Sequence, residues 1–503
     1  MFSRLIAFLR SVIHKMLPYK SIEQAEHIES PLSVEMITAL DLWYQLYLDQ
    51  APWLKENTVK SMNLPAFICS EIARQVVLEL KWNITGKAKD GEDSADVTNP
   101  RSEYLKAEFE KLFNSLREKL EQGCAAGGMT VRPYQRNGHI YFDWTMAWSL
   151  YPLAFGNDGE LTDVIFRDTY TEGKTIYTRL ERHTVKGANV EITQRAFKSN
   201  MRDSIGTEID LTDVEPWKSL KPKATVTNVN GQLFGWYKVA TANSVDVDSP
   251  MGASVYAKSV NTIKEADMQY SRLLWEYEGS ELAVDVDPSV LKPKKTEGGG
   301  VEMPKLNQRL FRAVDADKGD RDLYEVFSPA IRDANLITGL NQLLIRIEDQ
   351  CGLSRGTLSD ANVNVRTATE LKIVKQRSYA TIFDNQKALE RCLRDVVHAM
   401  DVFASLYELA PEGEYDLSFE WDDSIITDTD QQMNQRLALA AAGIIGKAEM
   451  RQWYFGETPA QAQAAIEAVR EEQREAMDAM LPALNPDDAI TGVSPGAGTQ
   501  PSA

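Results

Sequence analysis

Residues 353–366 read Leu-Ser-Arg-Gly-Thr-Leu-Ser-Asp-Ala-Asn-Val-Asn-Val-Arg, a run of small and polar residues between two helical patterns. Before this run, apolar residues recur at the spacing of one helix face: Leu336, Leu340, Leu343 and Ile347. After it, the chain from Thr367 to about Leu409 contains no Pro or Gly and predicts the longest helix of the protein. Loops of this length between helices are uncommon unless they have a function. We therefore treat this loop as the first candidate site.

The sign of the charge reverses around this loop. The whole chain has 74 acidic against 55 basic residues, a formal charge of -19. Between Arg355 and Arg394, eight basic residues face four acidic ones, a local balance of +4. The distal half of this stretch fits a solvated helix face with ion pairs at i,i+4 spacing. The part next to the loop, with Arg355 and Arg366, fits a contact surface.

The composition bounds the class of protein. Its 503 residues are 43% hydrophobic and 26% charged, as in ordinary folded proteins, and the length implies several domain-sized units. No apolar run approaches the roughly 20 residues of a membrane span. The acidic balance argues against a broad basic face that grips nucleic acid. The four isolated cysteines suit buried thiols in a reducing compartment.

Met1–Leu17 places apolar residues around three basic ones. A signal peptide or a membrane-surface helix is one interpretation. An amphipathic helix that packs on its own protein or on a neighbouring subunit is the one we favour, because basic residues interrupt the apolar run and no small-residue cleavage site follows.

In the first half of the chain, the sequence pattern predicts helices followed by β-hairpins. Ile68–Leu80 predicts a helix, and a second is predicted between Asn99, as its N-cap, and Gly123, just past its end. From Gly127 to about Ser199 the apolar period changes to two, with turn signals between short β-rich runs, which predicts one antiparallel meander. Another strand-rich stretch is Gly231–Val247.

The second half predicts two helices around an insertion. Ser249-Pro250 would start a helix that ends at Gly279, and the next helix starts after Pro329. The insertion, Glu281–Ser328, contains a basic run, a triple glycine and a strand-like segment: Lys292–Lys295, Gly298–Gly300 and Asn307–Val314. Asp416–Trp421 predicts a strand, and Thr427–Met480 is helical.

No catalytic motif survives inspection. Gly173-Lys174-Thr175 lacks the glycine that a phosphate loop needs at position 168, which is Asp, and it lies in a predicted hairpin. HExxH is absent, and the adjacent acids Asp422-Asp423 and Asp487-Asp488 are more typical of caps and solvated faces. We therefore expect no enzyme, no cofactor and no metal site.

The order of segments, taken together, resembles the portal proteins of tailed bacteriophages, in particular those of long-tailed phages and prophages. The segments that carry the resemblance are Leu42-Trp43-Tyr44 through Ala51-Pro52-Trp53-Leu54, Asp248-Ser249-Pro250-Met251-Gly252, Thr367-Ala368-Thr369-Glu370, Asp422-Asp423-Ser424-Ile425, and Gly446-Lys447-Ala448-Glu449-Met450-Arg451-Gln452-Trp453-Tyr454-Phe455-Gly456. No single segment is chemically diagnostic; the ordered set carries the resemblance over about residues 1–480.

The resemblance implies an α+β, ring-forming portal fold with named parts. These are a mixed α/β wing (1–250), a first stem helix (251–280), a small α/β clip (281–328), a second stem helix (329–352), a tunnel loop (353–366), a long wing helix and strand (367–427), a helical crown (428–480) and a disordered tail (481–503).

The resemblance also implies a function and partners. About twelve copies would surround a channel for double-stranded DNA at one capsid vertex, after assembly in the host cytoplasm. The ring would dock the terminase large subunit during packaging and later a head-completion or adaptor protein, and would contact scaffolding and major capsid proteins. An acidic ring with few basic wall residues would let DNA slide, because each neutralised phosphate adds affinity.

The same resemblance assigns candidate contact residues. The tunnel loop would present Arg355, Gly356, Ser359, Asp360, Asn362, Asn364 and Arg366 to the DNA. Lys258 and Lys264 are candidates for the stem channel wall, with an outward face or an inter-subunit salt bridge as the alternative. Lys292, Lys294 and Lys295 would be a solvated clip surface, which we favour, or part of the adaptor contact.

Two other functions compete with the portal. One is a virion structural or scaffolding protein that assembles through helical faces without contacting DNA. The other is a nucleotide-dependent motor such as a terminase subunit, which the broken phosphate loop and the lack of an acidic nuclease cluster disfavour.

Overall fold

The computed structural model describes residues 21–480 apart from 30, 56–57, 79, 88–97, 158, 202–203, 282, 287–293, 296–300, 303–310, 314–323, 328–329, 361–367 and 422–428. It is 49% helical and 23% strand, which confirms the α+β class. The chain divides into two compact units, Met1–Asp422 and Asp423–Ala503. The predicted N-terminal helix 1–17 and the predicted disordered tail 481–503 lie outside the described residues.

Three helices form the first layer of the larger unit: α1 (Val34–Tyr47), α2 (Leu64–Val77) and α3 (Pro100–Ala126). Asn99 caps α3 as predicted, since its side chain accepts from the Ser102 amide at 2.9 Å. Two boundaries differ from the prediction. Gly127, with φ of 82°, ends α3, whereas Gly123 lies buried inside the helix. Helix α2 starts and ends before the predicted 68–80, because Leu80 already belongs to a strand.

That strand was missed by the sequence analysis. β1 (Leu80–Gly86) pairs antiparallel with β16 (Tyr415–Trp421), from Leu80 opposite Trp421 to Gly86 opposite Tyr415. Trp82 stacks on Phe113 and meets Phe109 edge-on, so the ribbon is held against α3 by aromatic contacts. The predicted strand 416–421 is confirmed.

The predicted meander is two sheets rather than one. β2 (Gly128–Arg136) and β3 (His139–Met146) form a three-stranded sheet with β10 (Gly235–Lys238). The other sheet has the order β4-β5-β6-β7-β8, and a further strand, β9, pairs with β7. Its strands are Tyr151–Phe155, Leu161–Glu172, Thr175–Lys186, Asn189–Ser199, Thr207–Ile209 and Lys223–Val226. A 3-10 turn, Ala147–Ser149, separates β3 from β4 and breaks the meander.

The turn signals themselves were informative. Asn137 and Gly138 have φ of 55° and 80°, the left-handed pair that a tight hairpin between β2 and β3 requires. Gly173 and Gly187 likewise have positive φ between β5 and β6 and between β6 and β7. These positions explain why the hairpins could be placed from sequence.

The two helices around the insertion form an antiparallel hairpin. They are α4 (Val260–Gly279), which follows a 3-10 turn and starts later than the predicted Ser249-Pro250, and α5 (Asp333–Cys351). Ser259 contacts Cys351 at 3.2 Å at one end of the hairpin. At the other end the Arg332 guanidinium donates to Glu276 at 2.7 Å. Partners near both ends fix the register of the two helices.

The insertion contains two small sheets. β11 (Ala283–Val286) lies between β14 (Phe311–Ala313), which is parallel to it, and β15 (Tyr324–Phe327), which is antiparallel. β12 (Lys294–Lys295) pairs with β13 (Val301–Glu302). The triple glycine lies outside the described residues.

Helix α6 (Ala368–Leu406) is 39 residues long and packs across β10 and α2. Gly235 permits this contact, because an added Cβ there would lie 2.7 Å from Val396 Cγ2. The smaller unit consists of α7 (Thr429–Ala441), α8 (Lys447–Phe455) and α9 (Pro459–Met480). The predicted long helix and the predicted helical end are therefore confirmed.

Candidate functional site

The candidate loop begins on a buried acid of α5. Glu348 is fully buried, and its Oε1 accepts hydrogen bonds from the backbone amides of Gly356, Leu358 and Ser359 at 3.1, 2.6 and 2.9 Å. Its Oε2 accepts from the Ser359 hydroxyl at 2.8 Å. A buried carboxylate would be costly without partners. Here the backbone of the loop supplies them.

The loop therefore turns back along α5. Gly352, with φ of 71°, ends the helix. The Asp360 amide then donates to Asn341 Oδ1 at 2.8 Å. Asn341 and Glu348 are seven residues apart on α5, about 10 Å along the axis. Residues 353–360 thus lie antiparallel to the end of α5, instead of extending away from it.

The predicted loop residues differ in exposure and in their partners. Arg355 is half exposed and pairs with Asp349 at 2.8 Å, and that hydrogen bond and charge raise the pKa of its guanidinium. Gly356 has φ of 94°, a conformation that favours glycine. Asp360 is exposed, whereas the Ser359 side chain is buried against Glu348, where it anchors the loop instead of facing outward. Asn362, Asn364 and Arg366 lie outside the described residues.

The other candidate lysines belong to other segments of the chain. Lys264 is exposed on α4, and Lys258 is exposed in the 3-10 turn before α4. Lys292 is outside the described residues, and Lys294 and Lys295 are opposite Glu302 and Val301 in the β12–β13 pair. Whether these lysines face a channel or a partner stays a prediction.

Asp267 is a linking residue that the sequence analysis missed. It is buried on α4 and accepts from Trp53 Nε1 and from the Met62 amide, each at 2.9 Å. Burial raises the pKa of its carboxyl group. Through these bonds the segment around Trp53, already singled out for the family resemblance, is fastened to the helix hairpin. A single acid in a helix pattern gave no signal of this role.

A buried ion network crosses the two sheets. The Arg132 guanidinium, 7% exposed, donates to Glu181 at 2.7 Å and to Asp143 at 2.6 Å, and its charge also lies near Asp168. Burial alone would raise the pKa of Glu181, but Arg132, His183 and Arg179 outweigh it and hold that pKa far below its ordinary value. Every carboxylate of the network has a basic partner. This pairing fits a role in holding the sheets together.

The described residues contain neither a metal-binding cluster nor a membrane-spanning helix. Within the ranges given above, no group of three or more His, Cys, Asp or Glu side chains is placed to hold a metal ion. In the same part of the chain, no helix is both long and apolar enough to cross a bilayer.

An antiparallel helix hairpin that encloses a small β insertion, followed by an anchored loop and a long helix, is the architecture expected for a phage portal protein. Residues 62–479 match the family model described as phage portal protein, SPP1 Gp6-like. No curated protein matches the chain significantly.

Since the match spans most of its length, the chain belongs to this portal family, and it is a structural protein of a bacteriophage virion that serves DNA packaging. The family places such proteins at a capsid vertex, as ring-shaped oligomers that interact with capsid and terminase.

Proposed function

We propose that about twelve copies of this chain form a closed ring around a channel through which double-stranded DNA is packaged and later ejected. The observation that carries the proposal is the family match over residues 62–479. The proposed partners are the terminase large subunit, a head-completion or adaptor protein, and scaffolding and major capsid proteins. Assembly takes place in the host cytoplasm before the ring becomes part of the virion.

The proposal assigns a part to each element. The larger sheets with α1–α3 and α6 form the wing, the α4–α5 hairpin forms the stem, and β11–β15 form the clip. The helices α7–α9 form the crown. The loop after Gly352 is the tunnel loop, in which Arg355, Gly356, Asp360, Asn362, Asn364 and Arg366 approach the DNA.

Charge supports a sliding contact rather than a gripping one. The net charge of -19 per chain repels the phosphate backbone, and each basic contact adds salt-dependent affinity that would slow translocation. Arg355 already has a carboxylate partner in Asp349, which tempers its attraction for phosphate. A few such side chains would keep the duplex centred without holding it.

The anchored part of the loop determines how this role should be tested. Deleting Gly356–Val365 would remove the amides that satisfy Glu348 and would disturb the fold. Replacing residues 361–366 by alternating Gly and Ser leaves the Glu348 contacts intact. We expect particles that contain this variant to assemble rings but to package or retain less DNA. Normal packaging and retention would contradict the proposed role of the loop, and loss of the ring would show that the loop is an assembly element.

A further inference from the structure

A cleft of about 550 Å³ lies between α6, β10 and the turn before β5. Three bases and two acids line it: Lys238, Lys387 and Arg391, with Glu160 and Asp384. Local positive charge is unusual in a chain with a net charge of -19. The volume is that of a typical ligand or side-chain pocket.

Two residues of β10 that carry hydrogen-bond donors, Trp236 and Lys238, line this cleft. Trp236 is 3% exposed, and its Nε1 is buried without a hydrogen-bond acceptor. Its six-membered ring packs against Gly128, where an added Cβ would lie 2.7 Å from Cη2. Lys238, two residues on and on the same face of the strand, is half-buried near the charge of Glu160. An unpaired buried donor such as Trp236 Nε1 costs about 1–3 kcal/mol.

The other two basic side chains of the cleft have only exposed ion pairs, which a new partner can replace. Arg391 is 69% exposed and lies 3.4 Å from Glu160, and Lys387 is 55% exposed and lies 3.2 Å from Glu390. Exposed pairs of this kind contribute about 0–1 kcal/mol. A carboxylate from outside could therefore join them without breaking a strong contact.

The same chain presents such acceptors elsewhere. After β8, the side chains of Leu211, Val214 and Trp217 are buried in a small cluster. The acids between them, Asp210, Asp213 and Glu215, are exposed. The apolar residues fix the segment on the sheet, and the carboxylates form a ridge directed to solvent. We call residues 210–215 the acidic ridge.

The cleft and the acidic ridge lie at opposite edges of one sheet. In the strand order β4-β5-β6-β7-β8, Glu160 lies in the β4–β5 connection and the acidic ridge follows β8. Four strand spacings separate these edges, about 19 Å. Two complementary surfaces on opposite flanks cannot meet within one chain, but they meet between neighbours in a head-to-tail ring.

We propose that the acidic ridge of one copy docks in the cleft of the next, with its carboxylates accepting from Lys238 and Arg391. This contact rests on the proposed ring and names the surfaces that join its wings. Complementary charge would also set the order of the copies, because two clefts or two ridges repel each other.

A charge exchange tests the contact. Native mass spectrometry or sedimentation would compare the intact protein with Arg391→Glu, with Asp213→Lys, and with the variant that carries both changes. Lys174→Glu, in the exposed β5–β6 turn, is the matched control. We expect each single change to raise the protein concentration needed for half-assembly at least tenfold. The combined variant should recover most of this loss, and the control should assemble like the intact protein.

The outcomes separate this contact from the proposed function. If the unmodified protein forms no ring, the proposed function fails, and the docking contact fails with it. If it forms rings but both single variants assemble normally, or the combined variant shows no recovery, the docking contact is wrong while the ring stands. Lys238→Met, which removes the charge without reversing it, should weaken assembly less than tenfold. Circular dichroism would verify that each variant is folded.

Discussion

Glu348 and Ser359 are joined twice, since the carboxylate of Glu348 accepts from the Ser359 amide at 2.9 Å and from its hydroxyl at 2.8 Å. The Ser359 hydroxyl in turn accepts from the Gly356 amide at 3.2 Å. One buried acid thus fixes the course of four consecutive loop residues. The direction in which the loop leaves α5 is set at this point.

Replacing Glu348 by Ala should release the loop. The amides of Gly356, Leu358 and Ser359 would lose their acceptor, and we expect a loss of about 3 kcal/mol in stability. Hydrogen exchange should accelerate at these amides more than in α4 or β6. Asp349→Asn, which weakens the pair with Arg355 and leaves the Glu348 carboxylate in place, serves as the control. Unchanged exchange at all three amides would refute the anchoring role.

Arg132 should be among the costliest residues to truncate. Removing it takes away the cation that Glu181, Asp143 and Asp168 share, and broken buried pairs cost about 3–5 kcal/mol. Lys186→Ala, which removes an exposed pair with Glu191, should cost below about 1 kcal/mol. Thermal or denaturant unfolding measures both. Equal small effects would show that the network does not support the fold.

The Asp395 carboxyl group should make the stability of the protein depend on pH. Burial first, and then the nearby charge of Glu160, raises its pKa from 3.8 to about 6, against smaller opposing effects of Gln232, His398 and Arg391. Between pH 3.8 and about 6, Asp395 therefore keeps a proton in the folded chain that it has lost in the unfolded chain. The stability of the protein falls as the pH rises through this window. Asp395→Asn should stabilise the protein by about 1–2 kcal/mol at pH 8. The gain should shrink towards zero near pH 4.5, and an equal gain at both pH values would contradict the assignment.

Gly252 and Gly127 are in backbone contact. A Cβ on Gly252 would overlap the Gly127 carbonyl oxygen, and Gly127 itself has φ of 82°. Neither position can accept a side chain without moving the end of α3. We expect Gly252→Ala to cost more than about 3 kcal/mol or to prevent folding. Gly446→Ala, where no atom lies within 4 Å of an added Cβ, is the matched control and should be nearly neutral.

Local signals in the sequence predicted much of the fold. Asn99 predicted the start of α3, and Asn137-Gly138 predicted a hairpin, because caps and tight turns depend on the residue types at those positions. The α4–α5 hairpin followed from the apolar spacing of two helices around an insertion. The long helix α6 followed from the absence of Pro and Gly over Thr367–Leu409.

Long-range partnerships could not be predicted in this way. β1 has no strong period of its own and is defined by its pairing with β16, more than 300 residues later. The break between β3 and β4 and the burial of Asp267 also depend on tertiary packing. In the loop, residue types indicated a polar connection, but only the structure showed that Glu348 turns its first part back along α5.

Single-particle electron microscopy of the purified protein tests the central claim most directly. The account predicts closed rings of about twelve copies with a central channel wide enough for duplex DNA. Monomers, compact dimers or rings without an open channel would contradict it.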